Sequence, residues 1–309
     1  MKRLIKTLLI VILLASVYSL IPLADLYIKK DPAITTNADA VAKLNGNKGE
    51  YFEFIVFGDN HAGLFFNDSA ALREIKHINR EDRFKKVPID FVMIAGDITF
   101  RGSAWDYRIF NKTRSLIKYP VICAIGNHDD DNDGLARFDK YVGQKEFSFT
   151  NRNSYFIVLD NISGDLGDAQ FAYLEEELKR SQAYKHRFVI MHKPPRCLYF
   201  QSWYRPELSE WPERFMKMCE KYKVDIVLSG HEHMSKEATF NGVKYITSGG
   251  GGIITNTPGS EGGFLHYMVV RVFGDYVDYE VRQIYPPFWE LVTFYWWKEA
   301  VYFVKDAIL

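Results

Sequence analysis

The feature that most restricts this chain is a set of short apolar, β-branched runs that close on potential metal ligands. Runs are read at Phe52–Phe57, Ile89–Ala95, Val121–Ile125, Ser154–Asp160, Arg187–Met191 and Asp225–Leu228. Helical patterns separate them near Ser69–Lys85, Ala104–Lys118, Ala169–Gln182 and Glu210–Tyr222. A strand that is apolar on both faces must be covered on both faces, so the alternation predicts a sheet flanked by other layers. After His233 the pattern changes to strands alone, at Lys236–Asn241, Val243–Thr247, Leu265–Phe273 and Tyr276–Ile284. The expected architecture is α/β, with two sheets packed face to face and helices outside.

Five runs end in polar loops: Gly58-Asp59-Asn60-His61, Gly96-Asp97, Gly126-Asn127-His128-Asp129, Met191-His192 and Gly230-His231-Glu232-His233. Ligand sites of open α/β sheets lie outside the carboxyl ends of the strands, so these loops are expected to converge. Glycine precedes the ligand in four of them, which fits a tight turn that lifts the next side chain above the sheet. The donors are Asp59, His61, Asp97, Asn127, His192, His231 and His233, three oxygens and four imidazoles without a thiolate. Seven ligands are too many for one octahedral ion that must also bind substrate. Two ions sharing a carboxylate accommodate them. The mixed N/O set suits Mn, Fe, Zn or Ni, with divalent and mixed-valence pairs both open. Such a pair, about 3.5–4 Å apart, clamps a phosphate and generates a bridging hydroxide. Any one of these motifs alone is an ordinary cap or turn; the ordered conjunction carries the reading.

The order of these motifs resembles that of the calcineurin-like metallophosphoesterase superfamily over roughly residues 51 to 285, with no motif missing. The resemblance implies a four-layer α/β/β/α sandwich of two mixed sheets. It implies that Asp59, His61 and His233 hold a first metal, that Asn127, His192 and His231 hold a second, and that Asp97 bridges them. Asn127 and His128 are expected beside the substrate. His128 is the expected general acid, because an alkoxide leaves poorly without a proton. Asp129 is expected to accept from its imidazole and hold the tautomer. The related purple acid phosphatases carry Tyr three residues after the bridging Asp. Here that residue is Phe100, which argues against a tyrosinate-ligated ferric ion. The compact pattern looks most like bacterial phosphodiesterases of the cyclic-nucleotide type.

Outside this core, Lys2, Arg3 and Lys6 precede an uncharged run of 18 residues, Thr7–Ala24. The basic end is expected to stay inside and the rest outside the cytoplasm, through an uncleaved anchor in residues 1–30 or, alternatively, a cleaved signal with a secreted product. Residues 31–50 read as a linker, 51–285 as the catalytic domain and 286–309 as an aromatic amphipathic helix. Nine of the 25 residues from Tyr285 to Leu309 are aromatic, a density that fits a membrane interface or a docked terminal helix. The loop from Lys193 to Arg205 reads as a substrate-facing lid, with Arg196 as a substrate contact, or as a self-packed rim. Ser248–Gly252 reads as a flexible hairpin corner or an anion-binding backbone.

Lys and Arg total 39, as do Asp and Glu, so no overall charge points to nucleic acid. Cys123, Cys197 and Cys219 are too few for a disulfide framework or a cysteine-based zinc module. The expected function is hydrolysis of phosphate monoesters or diesters in the cell envelope. A lipid-linked phosphodiester or pyrophosphate is the alternative substrate. A non-catalytic binding scaffold is the alternative of another class, which loss of ligands would mark. Oligomeric state and substrate identity are not legible.

Overall fold

The computed structural model describes residues 21–84, 87–198, 206, 209–252, 255 and 257–285. Among the described residues, eleven strands form two mixed sheets. They are β1 Tyr51–Phe57, β2 Ile89–Ala95, β3 Val121–Ala124, β4 Phe147–Asn151, β5 Ser154–Val158, β6 His186–Ile190, β7 Ile226–Ser229, β8 Ser235–Phe240, β9 Val243–Ser248, β10 His266–Phe273 and β11 Tyr276–Gln283. One sheet runs β11-β10-β1-β2-β3 and the other β4-β5-β6-β7-β9-β8. The chain-reversing pairs β10–β11, β4–β5 and β8–β9 are antiparallel, whereas β1–β2–β3 and β5–β6–β7–β9 run parallel.

The period-two rule for strands explains the layering. Phe52, Phe54 and Val56 of β1 enter a core shared with Phe156, Phe188 and Ile246 of the second sheet. The Phe54 ring lies 5.4 Å from that of Phe156 and 5.2 Å from that of Phe188, both edge-on. The opposite-facing Ile55 and Phe57 meet Ile75 and Ile78 of helix Phe65–Ile78 and Tyr107 and Phe110 of helix Ala104–Ser115. On the second sheet, Ile157 and Val189 face outward onto Leu174 and Leu178 of helix Asp168–Arg180 and Phe215 of helix Trp211–Lys221.

β4 is absent from the sequence reading because its residues FSFTN mix aromatic and polar side chains on an edge. The expected linker is a second correction. Within residues 31–50, Thr36 caps helix Asn37–Ala42 through a reciprocal box with Asp39. The buried Asn37 amide bonds both ways with the Cys123 backbone, and Ala40 and Leu44 join the inter-sheet core. The Thr, Asn and Gly content of this stretch is therefore cap and turn chemistry, not a free tether.

Residues 21–28 are helical, and Leu23 and Leu26 are buried. No helix among the described residues is long and apolar enough to cross a membrane. Most of the expected anchor, residues 1–20, lies outside the described residues, as do the aromatic tail 286–309 and residues 199–205 of the expected lid.

Candidate metal centre

Register brings the ligands together. Parallel pairing of Phe57 with Ile94 places Gly58 beside Ala95, and the Asp59 amide then donates to the Gly96 carbonyl at 3.0 Å. In the second sheet, Ile190 opposite Leu228 sets Gly230 against His192, whose carbonyl accepts from the Gly230 amide at 2.9 Å. Two ligand groups result. Asp59, His61, Asp97 and His233 offer atoms within 4.8 Å of one another, and so do Asp97, His192 and His231. Asp97 belongs to both.

The backbone is held in an uncommon shape to achieve this. Asp59, His61, Asp97 and His231 all have left-handed φ, at 62°, 45°, 49° and 69°. Each such residue stores roughly 1–3 kcal/mol of strain, which the surrounding hydrogen bonds must hold. Gly96 takes the left-handed turn expected of it, at φ 87°, but the other preceding glycines have a different reason. A Cβ on Gly126 would lie 2.0 Å from the Asp97 amide nitrogen, and one on Gly230 would lie 2.5 Å from Asp59 Oδ2. The glycines leave room for the ligand loops to approach, while the ligands themselves take most of the left-handed turns. Gly249 and Gly250 act likewise: their Cβ atoms would meet Asp59 Oδ2 at 2.7 Å and His266 Nδ1 at 2.0 Å. The glycine run after β9 is thus a buried buttress rather than a flexible corner. The sequence reading missed His266, a wholly buried side chain whose Nδ1 donates to the Phe264 carbonyl at 2.9 Å. Burial pushes its pKa down to about 4.

The electrostatics are those of a cation site. Burial, helped by the charges of His233 and His128 and opposed by Asp97, lowers His61 to about 4. Burial and the neighbouring His192 put His231 well below its ordinary value. Neutral imidazoles are the form that binds metal. His192 goes the other way: burial opposes its charge, but the Asp97 carboxylate at 3.2 Å outweighs this and raises it to about 9. Its Nδ1 donates to the Ala95 carbonyl at 2.9 Å, which turns Nε2 toward Asp97. His192 in turn holds Asp97 well below the usual carboxylate range, against burial. Nε2 of His61 and Nε2 of His233 face each other at 3.1 Å, and Oδ1 of Asn127 is buried without a hydrogen-bond partner. Orphaned lone pairs beside two carboxylates and neutral imidazoles fit metal ions of the N/O-liganded kind.

His128 sits at the edge of this group, its ring centroid 4.8 Å from that of His61. Its side chain is 37% exposed. The Nδ1–H donates to the Phe100 carbonyl at 2.9 Å, with Asp131 Oδ2 at 3.5 Å, and the Phe100 ring stacks on it at 8°. The amide of His128 donates to Asp97 Oδ1 at 2.9 Å.

Asp129 does not orient His128, contrary to expectation. Its carboxylate is fully buried and faces backward. Oδ1 accepts from the Thr99 amide and hydroxyl, both at 2.8 Å, and Oδ2 accepts from the Gly126 amide at 2.8 Å and the Ile98 amide at 3.3 Å. Burial and the Asp97 charge push its pKa upward, while the four donors favour the ionised form. Asp129 ties the loop of Asp97 to the loop of Asn127. The orienting role passes to Phe100 and Asp131, which only the folded loops bring near the ring.

Arg196 is not brought to the site either. It is exposed, with its guanidinium carbon 4.7 Å from the centre of the Phe240 ring. Phe240 pairs with Val243 at the start of β9, whereas the metal ligands lie past the ends of the parallel strands. Lys193 is the nearer cation: half-buried beside His192, it donates through Nζ to the Ile162 carbonyl at 2.6 Å.

A family model described as calcineurin-like phosphoesterase matches residues 52–235, more than half of the chain. A probable cyclic nucleotide phosphodiesterase of Vesicomyosocius okutanii is 29% identical over 180 residues, covering 55% of this chain and 75% of that one. A probable glycerophosphodiester phosphodiesterase of Arcobacter nitrofigilis is 25% identical over 190 residues, covering 56% and 66%. Among solved structures, the Plasmodium protein described as GAP50, the anchor in the inner membrane complex, superposes with a TM-score of 0.59 at 14% identity, covering 76% of this chain and 85% of that one. That last likeness is one of fold.

Proposed function

The chain belongs to the calcineurin-like phosphoesterase family of hydrolases acting on phosphoric ester bonds, and from that premise we propose that it is a dinuclear-metal phosphodiesterase. The observation that carries the proposal is the pair of ligand groups sharing Asp97, with the lone pair of Asn127 Oδ1 left open beside them. Asp59, His61 and His233 would hold one ion, Asn127, His192 and His231 the other, and Asp97 both. Mn, Fe, Zn or Ni held at these positions would supply positive charge against a phosphate and lower the pKa of water. Diesters are favoured over monoesters because the relatives named above are named as diesterases.

The residues of the chain do the rest. The Phe100 carbonyl takes the Nδ1 proton of His128 into a hydrogen bond, so the ring presents Nε2 outward. When Nε2 carries a proton, His128 donates it to the departing ester oxygen. The amide contact from His128 to Asp97 keeps this proton at a fixed height over the ligand groups. The residues ahead of the buried Leu23 are proposed to anchor the chain, with the catalytic domain outside the cytoplasm, on the strength of Lys2, Arg3 and Lys6 ahead of the uncharged run.

The test is hydrolysis of bis(p-nitrophenyl) phosphate and p-nitrophenyl phosphate by purified protein, with each of the four metals added and bound metal counted. Diester turnover with two ions per chain is expected. Two ions bound with neither substrate cleaved would favour the binding scaffold. Protease added to intact and osmotically opened cells tests the orientation.

A further inference from the structure

We propose that Ile28, Phe65 and Trp105 form a lipid-contact rim beside the metal centre, so that the catalytic domain lies directly on a bilayer with its site at headgroup level. The substrate consequence, a phosphodiester presented from a membrane surface, rests on the function proposed above.

The chain leaves no slack between the apolar run and the domain. The uncharged run ends at Ala24, yet Leu23 and Leu26 are already packed in one core cluster with helices Phe65–Ile78 and Ala104–Ser115. The next residues are fastened one after another. The Tyr27 hydroxyl donates to Asp68 Oδ2 at 2.7 Å. Lys112 Nζ donates to the carbonyls of Tyr27 and Lys29 at 3.1 and 2.5 Å. Asp31 accepts from Arg108 at 2.9 Å, and the Pro32 carbonyl accepts from the Asn111 amide at 3.1 Å. A domain held this closely to the end of an apolar run cannot stand off from whatever that run enters.

The exposed apolar side chains gather on the same side. Six of the nine large ones among the described residues, Ile21, Ile28, Ile34, Phe65, Trp105 and Leu116, lie on this strap or on the two helices under it. Ile28 is 82% exposed, Trp105 43% and Phe65 40%. Trp105 stands against Tyr27, with ring centroids 5.5 Å apart. Phe65 and Trp105 occupy the first turns of helices that follow β1 and β2, the strands whose ends carry Asp59, His61 and Asp97. The two turns are adjacent, because a Cβ on Gly63 would lie 2.1 Å from Asp106 Oδ1. Exposed Lys30 and Arg101 add positive charge suited to anionic headgroups. Tryptophan beside basic groups at the foot of an apolar segment is the chemistry of a membrane interface.

The test uses the full chain in phosphatidylcholine–phosphatidylglycerol vesicles. Nitroxide labels on Ile28→Cys, Trp105→Cys and Tyr276→Cys, each in a Cys197→Ser background, report depth by their access to oxygen and to a water-soluble nickel complex. The first two are expected in the lipid phase. Tyr276, at the far end of the first sheet, is expected to stay in water. Labels at Ile28 and Trp105 as open to nickel as Tyr276 would overturn the proposal. So would protection that rises with protein concentration without vesicles, the sign of a second copy on the rim. A Phe65→Ser/Trp105→Ser chain is expected to lose about tenfold or more in rate on a vesicle-borne phosphodiester while keeping its rate on bis(p-nitrophenyl) phosphate within about twofold. Equal losses on both substrates count against the rim. Failure to cleave either substrate in the unmodified chain defeats the function proposed above, while the label depths still decide the rim.

Discussion

Replacing Asp129 by Asn separates a residue that holds the site from one that does its chemistry. The carboxylate accepts four hydrogen bonds, two at each oxygen. An amide can accept at only one end. With its oxygen in the Oδ1 position, the amides of Gly126 and Ile98 both face an NH2 group and are orphaned. With its oxygen in the Oδ2 position, those two bonds survive, the Thr99 hydroxyl rotates to accept from the NH2, and only the Thr99 amide is left without a partner. The second arrangement is therefore preferred. One orphaned buried amide costs about 1–3 kcal/mol, which for a chain of this length lowers Tm by about 2–6 °C. The loops of Asp97 and Asn127 lose their tie, so metal affinity is expected to fall by about 10–100-fold, the usual range for groups that orient ligands. Once excess metal restores occupancy, the dependence of rate on leaving-group pKa should match the unmodified enzyme. Calorimetry, a metal titration and rates on a series of aryl and alkyl diesters measure these in turn. An Asp129→Asn chain that keeps its Tm and its metals yet loses rate selectively on alkyl esters would refute this role, since Asp129 would then be a partner of the acid.

His128→Ala should show the complementary profile: metal content near that of the parent, a rate lower by about 10²–10⁴-fold, and a smaller loss on nitrophenyl than on alkyl esters. Asp97→Asn should reduce bound metal to one ion or none and abolish turnover, because it removes the charge common to both ligand groups; two ions retained at full activity would contradict the bridge. His186 provides a pH test away from the site. Burial disfavours its cation, but hydrogen bonds to Asp225 at 3.1 Å and to the Gly274 carbonyl at 2.8 Å, with the Asp225 charge, raise its pKa overall. Its contribution to stability is thus full below about pH 6.5 and is lost as pH rises through the raised value. Urea midpoints from pH 5 to 9 should decline over that window in the parent and flatten in His186→Gln.

The seven candidate ligands were legible because each lies within four residues of a strand end, and strand ends are announced by apolar runs and glycines. The two mixed sheets were legible for the same local reason: β1 and β2 are apolar at almost every position, and such strands must be covered on both faces. What the tertiary structure alone decided is which neighbour each polar group meets. The spacing His128-Asp129 invites a bond between adjacent side chains, but the turn after Gly126 sends one outward to Phe100 and the other back to Thr99. Arg196 is four residues from a metal ligand, yet its guanidinium rests on Phe240. Residues 31–50 have the composition of a tether, yet Asn37 finds the Cys123 backbone 86 positions away. The left-handed turns at Asp59, His61, Asp97 and His231 have no local signal, since no aspartate or histidine prefers that conformation enough to be read from its neighbours. Periodicity and turn chemistry are short-range and are written along the chain. The hydrogen-bond partners and strained turns of a site depend on the register between strands distant in sequence, which exists only once the sheets have formed.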